Sequence, residues 1–421
     1  MSPELSAAVG FSAAGATSLG GTPLAIAIAG RTDFYDRPRG YRKHAGATPL
    51  LGGAAVLVGF LAAAIAVGAT SGRLLVPIGC ALSLWLIGTI DDRVTIAPIW
   101  RLLAETIAAV AVVVVGLGWK TSGGGAIDLV LSVIWVVGLV NAFNLMDNLD
   151  GACSAVGCVS AVGIGILAAI HGQAVLAGLA FGLAGGCAGF LPWNLAGPAK
   201  VFLGDGGSMP IGFLVAALAM TTGRHLQVGD AGLLAGALLV GVPILDTALV
   251  SLSRKRRGVM LVTGGRDHLT HRLLLALHTP RAVVGALALA QAILCVSAIV
   301  GDHWGIAAVA LFALVAVTLG AVTIVLLDTT RWRPAGIAVG ERSPYGQVAK
   351  RSVASSRGER PRHPAQWRLG QSRSHHRSAE HRRPRDSGDH AGQGARFAWV
   401  PDNPHSRQGR ARRGQPGSPG G

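Results

Sequence analysis

The 421-residue chain carries 37 Lys and Arg against 21 Asp and Glu, a formal charge of +16, with 51% apolar residues and five Cys. Length alone admits one large unit or several domains. The five Cys show no Cys-x-x-Cys pairing, which argues against a disulfide scaffold or zinc site and for small buried hydrophobes. The basic excess does not imply a nucleic-acid partner, because it is concentrated at one end: residues 331–421 hold 19 Lys and Arg against 6 acids, and the remainder 18 against 15.

From Leu5 to Asp328 charges are sparse and clustered, and most windows between the clusters reach the roughly 17 to 25 apolar residues that cross a bilayer core of about 30 Å. Eleven windows qualify: Leu5–Gly30, Pro49–Thr70, Leu74–Ile90, Leu102–Gly118, Leu129–Leu145, Ala152–Ile170, Gln173–Trp193, Ser208–Thr222, Ala231–Ser251, Ala282–Val300 and Trp304–Leu327. The first, rich in Gly, Ser and Ala, and the short eighth are the weakest, and either would suit a half-buried segment. Glu105 and Asp246 lie singly near span ends, where a headgroup region would hold them. With the N-terminus outside, the inner loops hold 15 Lys and Arg and the outer loops only Arg73, Lys120 and Arg224, so the basic side is expected in the cytoplasm. Trp100, Trp119, Trp193, Trp304 and Trp332 fall near span ends, as an interfacial belt requires. The first basic residue is Arg31, so the first window reads as a retained span and not as a cleaved signal. Residues 331–421, rich in Arg, Ser, Gly, Pro and His, are expected to be disordered, basic and in contact with anionic lipid.

The inner connections carry the chemistry. Residues 33–44 end in Lys43 and His44 beside a Gly/Pro turn, a cation pair able to grip a phosphate, within a cluster that also serves as an orientation signal. The third span ends Ile87-Gly-Thr-Ile-Asp-Asp-Arg93. Adjacent carboxylates repel unless a cation neutralises them, and Mg²⁺ takes one or two carboxylates plus phosphates and water. Asn141-Ala-Phe-Asn-Leu-Met-Asp-Asn-Leu-Asp-Gly151 brings two acids and three amides to the end of the fifth span. If the helix runs through it, Asn144, Asp147 and Asp150 follow one another at three-residue spacing on its surface. Phe190-Leu-Pro-Trp-Asn194 closes the seventh span, and Lys200-Val-Phe-Leu-Gly-Asp-Gly-Gly-Ser208 opens the eighth. There the helix start offers N–H groups to an anion, and Asp205 calls for a metal between it and any phosphate. Last come Val242-Pro-Ile-Leu-Asp246, the basic run Arg254–Arg257, and Gly265-Arg-Asp-His-Leu-Thr-His-Arg272. His268 and His271 lack the further ligands zinc needs and suit pyrophosphate contact or proton transfer.

Asp91, Asp92, Asp147, Asp150, Asp205 and the two histidines lie on alternate connections, so an alternating topology puts them on one face. A transporter would gather its charges near the bilayer midplane instead.

Taken in order, Arg-Lys-His with Thr-Pro-Leu-Leu-Gly-Gly, Gly-Thr-Ile-Asp-Asp-Arg, Asn-Ala-Phe-Asn-Leu-Met-Asp-Asn-Leu-Asp-Gly, Val-Phe-Leu-Gly-Asp-Gly-Gly-Ser, Val-Pro-Ile-Leu-Asp and His-Leu-Thr-His-Arg-Leu resemble the polyprenyl-phosphate N-acetylhexosamine-1-phosphate transferases over about Asp33 to Leu274. The muramoyl-pentapeptide branch is less similar. The resemblance implies an all-α polytopic membrane protein of about 10 to 11 transmembrane helices with a cytoplasmic-face active site. Residues 1–330 would form the transferase domain and 331–421 a basic disordered tail. It implies transfer of an N-acetylhexosamine 1-phosphate, GlcNAc 1-phosphate first, from a UDP-sugar to polyprenyl phosphate, releasing UMP in a membrane step of cell-envelope polysaccharide synthesis. The implied cofactor is Mg²⁺, with Mn²⁺ as a substitute. Partners are the UDP-N-acetylhexosamine, polyprenyl phosphate and membrane lipids, with no specific nucleic acid and homodimerisation left open. By the same resemblance Asp91 and Asp92 are catalytic and Asp205, with Asp92, is the metal site. Asn144, Asp147, Leu149, Asp150, Asn194 and Phe202 form the nucleotide pocket, with Phe202 stacking on uracil, and Lys43 lies near the pyrophosphate. His268 and His271 join the catalytic set. Two departures stand out: Asn148 occupies a position usually Gly, and Thr270 interrupts the histidine motif. Direct attack by the lipid phosphate and a covalent aspartyl-phosphate route are both open. The alternative is a transporter or lipid-binding protein on the same scaffold without catalysis.

Overall fold

The computed structural model describes residues 1–36, 47–69, 72–226, 231–260, 265 and 267–329. Lys43, His44 and the tail from 331 lie outside the described residues. Thirteen α-helices run through the described chain: α1 (Pro3–Thr32), α2 (Gly52–Ala66), α3 (Leu75–Val94), α4 (Pro98–Val114), α5 (Gly125–Met146), α6 (Ala152–Ile170), α7 (Ala174–Asn194), α8 (Asp205–Gly223), α9 (Gly232–Leu239), α10 (Gly241–Arg257), α11 (Leu269–Leu277), α12 (Pro280–Trp304) and α13 (Ile306–Leu327). A short antiparallel ribbon, β1 (Tyr35–Asp36) with β2 (Thr48–Pro49), joins α1 to α2.

Each of the eleven apolar windows contains a helix. Eight helices, α1, α3, α5, α6, α7, α8, α12 and α13, are long and apolar enough to cross a bilayer, and the α9–α10 pair would make a ninth. The other two windows fall short for separate reasons. Helix α2 has 15 residues, about 22 Å at 1.5 Å per residue. Helix α4 has 17 and carries Arg101 and Glu105 near its start.

Helix α1 is a full 30-residue helix, made stable by close approach and not by bulk. Its buried stripe, Ser6, Gly10, Ala14, Ser18, Thr22, Ala25 and Ala29, repeats every three to four residues and packs on α7. A Cβ on Gly10 would stand 2.1 Å from the Gly178 carbonyl oxygen, so the backbones nearly touch, as small-residue packing in membranes allows. Helix α8 is buried along its whole length, surrounded by α2, α3, α5, α6, α7 and α9. A helix that meets protein on every side has no lipid to satisfy, which accounts for its weak apolar signal. At the other extreme, α13 has only 6% of its apolar window buried.

Between α9 and α10 the axis turns by 78°. A break at this depth strands backbone groups that water cannot reach. Gln291 of α12 repairs it: its amide nitrogen Nε2 donates to Leu238 O (3.2 Å) and Leu239 O (2.9 Å), and its Oε1 accepts the Val242 N–H (3.0 Å). The bend aims Asp246 of α10 at the start of α11. The cysteines are free, with Cys153, Cys187 and Cys295 buried.

Candidate active site

The ends of α3, α5 and α7 and the starts of α4 and α8 meet at one end of the bundle. Asp92, on the last turn of α3, accepts the Asp205 N–H at Oδ1 (3.0 Å) and the Gly206 N–H at Oδ2 (3.1 Å). It is therefore a remote cap on α8, where the helix dipole favours a carboxylate. The contact requires Gly204, which has φ +72° and whose Cβ would lie 2.5 Å from Asp92 Oδ2. The remaining turn of α8 closes on itself, with Gly207 N and Ser208 N donating to Gly204 O at 2.9 Å. The N–H groups expected to meet a phosphate are thus already engaged, and a ligand here meets carboxylates instead.

Arg101, in the first turns of α4, joins the acids. Its Nη1 lies 2.7 Å from Asp91 Oδ2 and 3.0 Å from Asp205 Oδ2, and its Nη2 donates to Asn144 Oδ1 at 2.9 Å. Asn144 in turn donates from Nδ2 to Asp205 Oδ1 (2.8 Å) and Ser208 Oγ (3.0 Å). Asp91 also accepts the Ile96 N–H. Helix α5 stops at Met146, so Asp147 and Asp150 stand in a turn and not on a helix face; Gly151, at φ +81°, starts the next helix. Burial pushes the Asp147 carboxyl well above the usual range, and the charges of Asp205, Asp92 and Asp150 push it the same way. The Gly204 N–H pulls it partly back.

The remaining sequence candidates divide. Phe202 is half-buried, its backbone bonded to Pro49 O and Gly52 N, and Leu149 packs beside a second apolar cluster. Asn194 is 3% exposed with both amide ends occupied: Oδ1 accepts Gly151 N–H (2.6 Å) and Nδ2 donates to Val201 O (2.9 Å). Its observed task is to tie two loops together. His268 is buried, with Nδ1 3.0 Å from Asp246 Oδ2, while Asp246 Oδ1 takes the Leu269 N–H (2.6 Å). His271 is half-buried, its ring centroid 6.5 Å from that of His268. The Thr270 hydroxyl donates to Asn148 Oδ1, joining α11 to the turn that carries Asp147 and Asp150. Neither lone acid lies in a headgroup-like setting, since Glu105 and Asp246 are 0% and 1% exposed, and Glu105 receives the Asn141 amide.

Arg101 is the residue that sequence reading counted only as a loop charge. The signal was present, since an adjacent Asp pair needs a cation and Arg101 is the next one along after Arg93. A basic cluster lies at the same end: Arg254 holds Asp267 through two bonds (3.0 and 2.8 Å), and Arg257 adds a third at 2.6 Å. Burial opposes the Asp267 charge, but Arg254 and Arg257 outweigh it and hold the carboxyl below the usual range. Arg73, Lys120 and Arg224 belong to the opposite end, where Arg224 donates to Gly116 O.

The donor set tests for a metal. Asp92, Asp147 and Asp205 offer only carboxylate oxygens, and Arg101 cannot balance them alone, so the cluster suits a hard divalent cation. Among the described residues no three His, Cys, Asp or Glu side chains form a ligand cage, so a cation here would need oxygens from phosphate or water to complete its shell.

The sequence matches the glycosyl transferase family 4 profile over residues 74–223. It is 32% identical over 302 residues to a decaprenyl-phosphate N-acetylglucosaminephosphotransferase of Mycobacterium leprae, covering 62% of this chain and 75% of that protein. The chain belongs to this family. The Mycobacterium tuberculosis protein of the same name is also 32% identical, over 66% of this chain and 78% of the relative. The Escherichia coli undecaprenyl-phosphate alpha-N-acetylglucosaminyl 1-phosphate transferase is 27% identical over 66% and 78%. The family match takes in Asp91, Asp92, Arg101, Asn144, Asp147 and Asp205.

Proposed function

We propose that the protein transfers N-acetylhexosamine 1-phosphate, GlcNAc 1-phosphate first, from a UDP-sugar to polyprenyl phosphate, releasing UMP at the cytoplasmic face of the membrane. The observation that carries this reading is the convergence of Asp91, Asp92, Asn144 and Asp205 on Arg101 and on each other, from four helices, at one end of the bundle. Acids gathered at helix ends, beside a membrane surface, suit a polyanionic donor from water and an acceptor from the bilayer better than they suit a transport path. The family's named substrates in the mycobacterial and E. coli relatives support the acceptor and the sugar. The cytoplasmic assignment is supported by Arg93, Arg101, Lys200, Arg254–Arg257 and Arg281 lying at the site end.

Asp92 and Asp205 would hold Mg²⁺, which when bound supplies Lewis-acid polarisation and charge neutralisation at phosphate. The protein's own groups do the rest. Arg101 keeps Asp91, Asp205 and Asn144 in register, and Asp92 fixes the start of α8. A phosphate monoester titrates near pH 6, so the acceptor arrives largely as its dianion, and the task left to Asp91 and Asp92 is orientation for direct attack. Phe202, half-buried, would be the side chain that stacks on uracil.

The test is UMP release from purified protein given UDP-GlcNAc and polyprenyl phosphate, with Asp91→Asn, Asp92→Asn and Asp205→Asn assayed separately. Each variant is expected to lose most of the rate. Wild-type rates in all of them, or no UMP from the unaltered protein, would overturn the reading.

A further inference from the structure

Glu105 stands on α4 four residues after Arg101, in the buried stripe that continues through Ala108, Ala109 and Val112. Its carboxyl is fully enclosed by protein. Oε2 accepts from Asn141 Nδ2, whose other hydrogen goes to Val137 O at 2.9 Å. Oε1 is buried and has no hydrogen-bond partner among the described residues. A carboxylate oxygen kept from water without a donor is destabilising, and an acid at this depth calls for a named partner. Two rungs between α4 and α5 point to that partner. Arg101 bonds to Asn144, while Glu105, one turn further along α4, bonds to Asn141, one turn back along α5. Residues four apart on a helix are surface neighbours, and the charges of Arg101 and Asp205 both act on Glu105. Arg101 meets Asp91 and Asp205 through one nitrogen, Nη1. A divalent cation taken up by Asp205 competes with that nitrogen for the carboxylate.

We infer that Glu105 is a positioning residue that receives Arg101 when a divalent cation takes Asp205. The guanidinium stays on Asn144 and Asp91 and turns the N–H freed from Asp205 to Glu105 Oε1. Only hydrogen-bond partners are exchanged, and no proton moves. Arg101 thus stays paired while it yields Asp205, which avoids leaving a buried charge uncompensated. The inference rests on the acid cluster taking a divalent cation, as the transfer reading has it.

Mn²⁺ alone is the probe, titrated into the full-length protein in neutral detergent and followed by the electron paramagnetic resonance signal of the free ion. The unaltered protein is expected to bind it, and Asp205→Asn to lose that binding. Glu105→Gln removes the charge at nearly constant size and should weaken binding about tenfold, the factor carried by one hydrogen bond between charged groups. In an Arg101→Met background the same substitution should change binding by less than about twofold, because no guanidinium is left to be received. Glu105→Asp keeps the charge but shortens the reach, so it should weaken binding as Glu105→Gln does. A loss of equal size with and without Arg101, or wild-type binding in Glu105→Asp, would show a charge acting from a distance and overturn the inference, as would wild-type binding in Glu105→Gln. If Glu105→Gln does not fold, Glu105→Asp in the two backgrounds decides. Should the unaltered protein bind no Mn²⁺ that Asp205→Asn removes, the metal reading fails and the inference with it. Coupling between Glu105 and Arg101 in a protein that releases no UMP would instead keep the exchange and remove only the transfer reading.

Discussion

Replacing Arg101 by Met keeps an unbranched apolar stem and removes the fork that bridges Asp91, Asp205 and Asn144. Breaking a buried ion pair by deleting one partner costs about 3–5 kcal/mol. Arg101 is 18% exposed and Asp205 29%, and solvent screening brings the figure to about 2–3 kcal/mol. If that alignment is needed in the transition state, the rate falls by roughly 30- to 150-fold, at 1.36 kcal/mol per decade. Arg101→Lys restores the charge but cannot reach three acceptors with a planar fork, so it should fall between Met and wild type. The assay is initial-rate UMP release at saturating UDP-GlcNAc and lipid phosphate, on protein shown to be folded by its unfolding midpoint. The same variant should need less Mg²⁺ for half-maximal activity, because Arg101 no longer competes for Asp205. Activity within threefold of wild type in Arg101→Met would refute the reasoning.

Gly204→Ala should lower the rate at least tenfold, because the added Cβ would meet Asp92 Oδ2 at 2.5 Å in a backbone already at φ +72°. Gly258→Ala is its control: φ is +66° but nothing lies within 4 Å, so it should cost about 1 kcal/mol of stability and leave UMP release unchanged. Equal rates in the two alanine variants would remove the steric account. Gln291→Leu strands the Leu238 and Leu239 carbonyls and the Val242 N–H, at about 1–3 kcal/mol for each group left unsatisfied; an unfolding midpoint in detergent equal to wild type would contradict that bookkeeping. Asp267→Asn should destabilise by about 3 kcal/mol at pH 7. Since the folded carboxyl lies below its ordinary value of about 3.9, its contribution is full above that value and fades as pH falls through the folded one. The wild-type and variant midpoints should therefore approach each other only in strong acid, and a gap that stayed constant from pH 7 to pH 2 would count against the ion-pair origin.

Much of this was legible because membrane burial simplifies the code. A helix such as α13, with most of its surface toward lipid, must be apolar throughout, and the sequence announces it. Helix α8 hides for the converse reason, since a segment enclosed by six others can carry Gly, Ser and Thr at no cost to lipid contact. The acids were legible as a set because alternating spans bring alternate connections together, and Asp91, Asp92, Asp147 and Asp205 do meet. What sequence could not provide was direction. Asn194 has the residue type of a nucleotide contact, yet its amide faces Gly151 and Val201, and the glycines before α8 promise free N–H groups that Asp92 has already taken.

These orientations share one physical cause, and it bears on how the site works. At the edge of a bilayer every helix end brings orphan backbone groups that need partners, so polar side chains there are first claimed by neighbouring helix ends. Asp92 caps α8, Asp246 caps α11, Asn194 ties two loops, and Gln291 mends the α9–α10 break. Asp205 differs from these: its carboxylate meets the side chains of Arg101, Asn144 and Asp91, and it is 29% exposed. The same side chains that hold the helix ends therefore also hold Asp205 and its neighbours still, which is the preorganisation a phosphoryl transfer needs. A substitution that loosens a cap should accordingly lower the rate before it lowers the fraction of folded protein, and Gly204→Ala is the variant in which the two can be measured side by side.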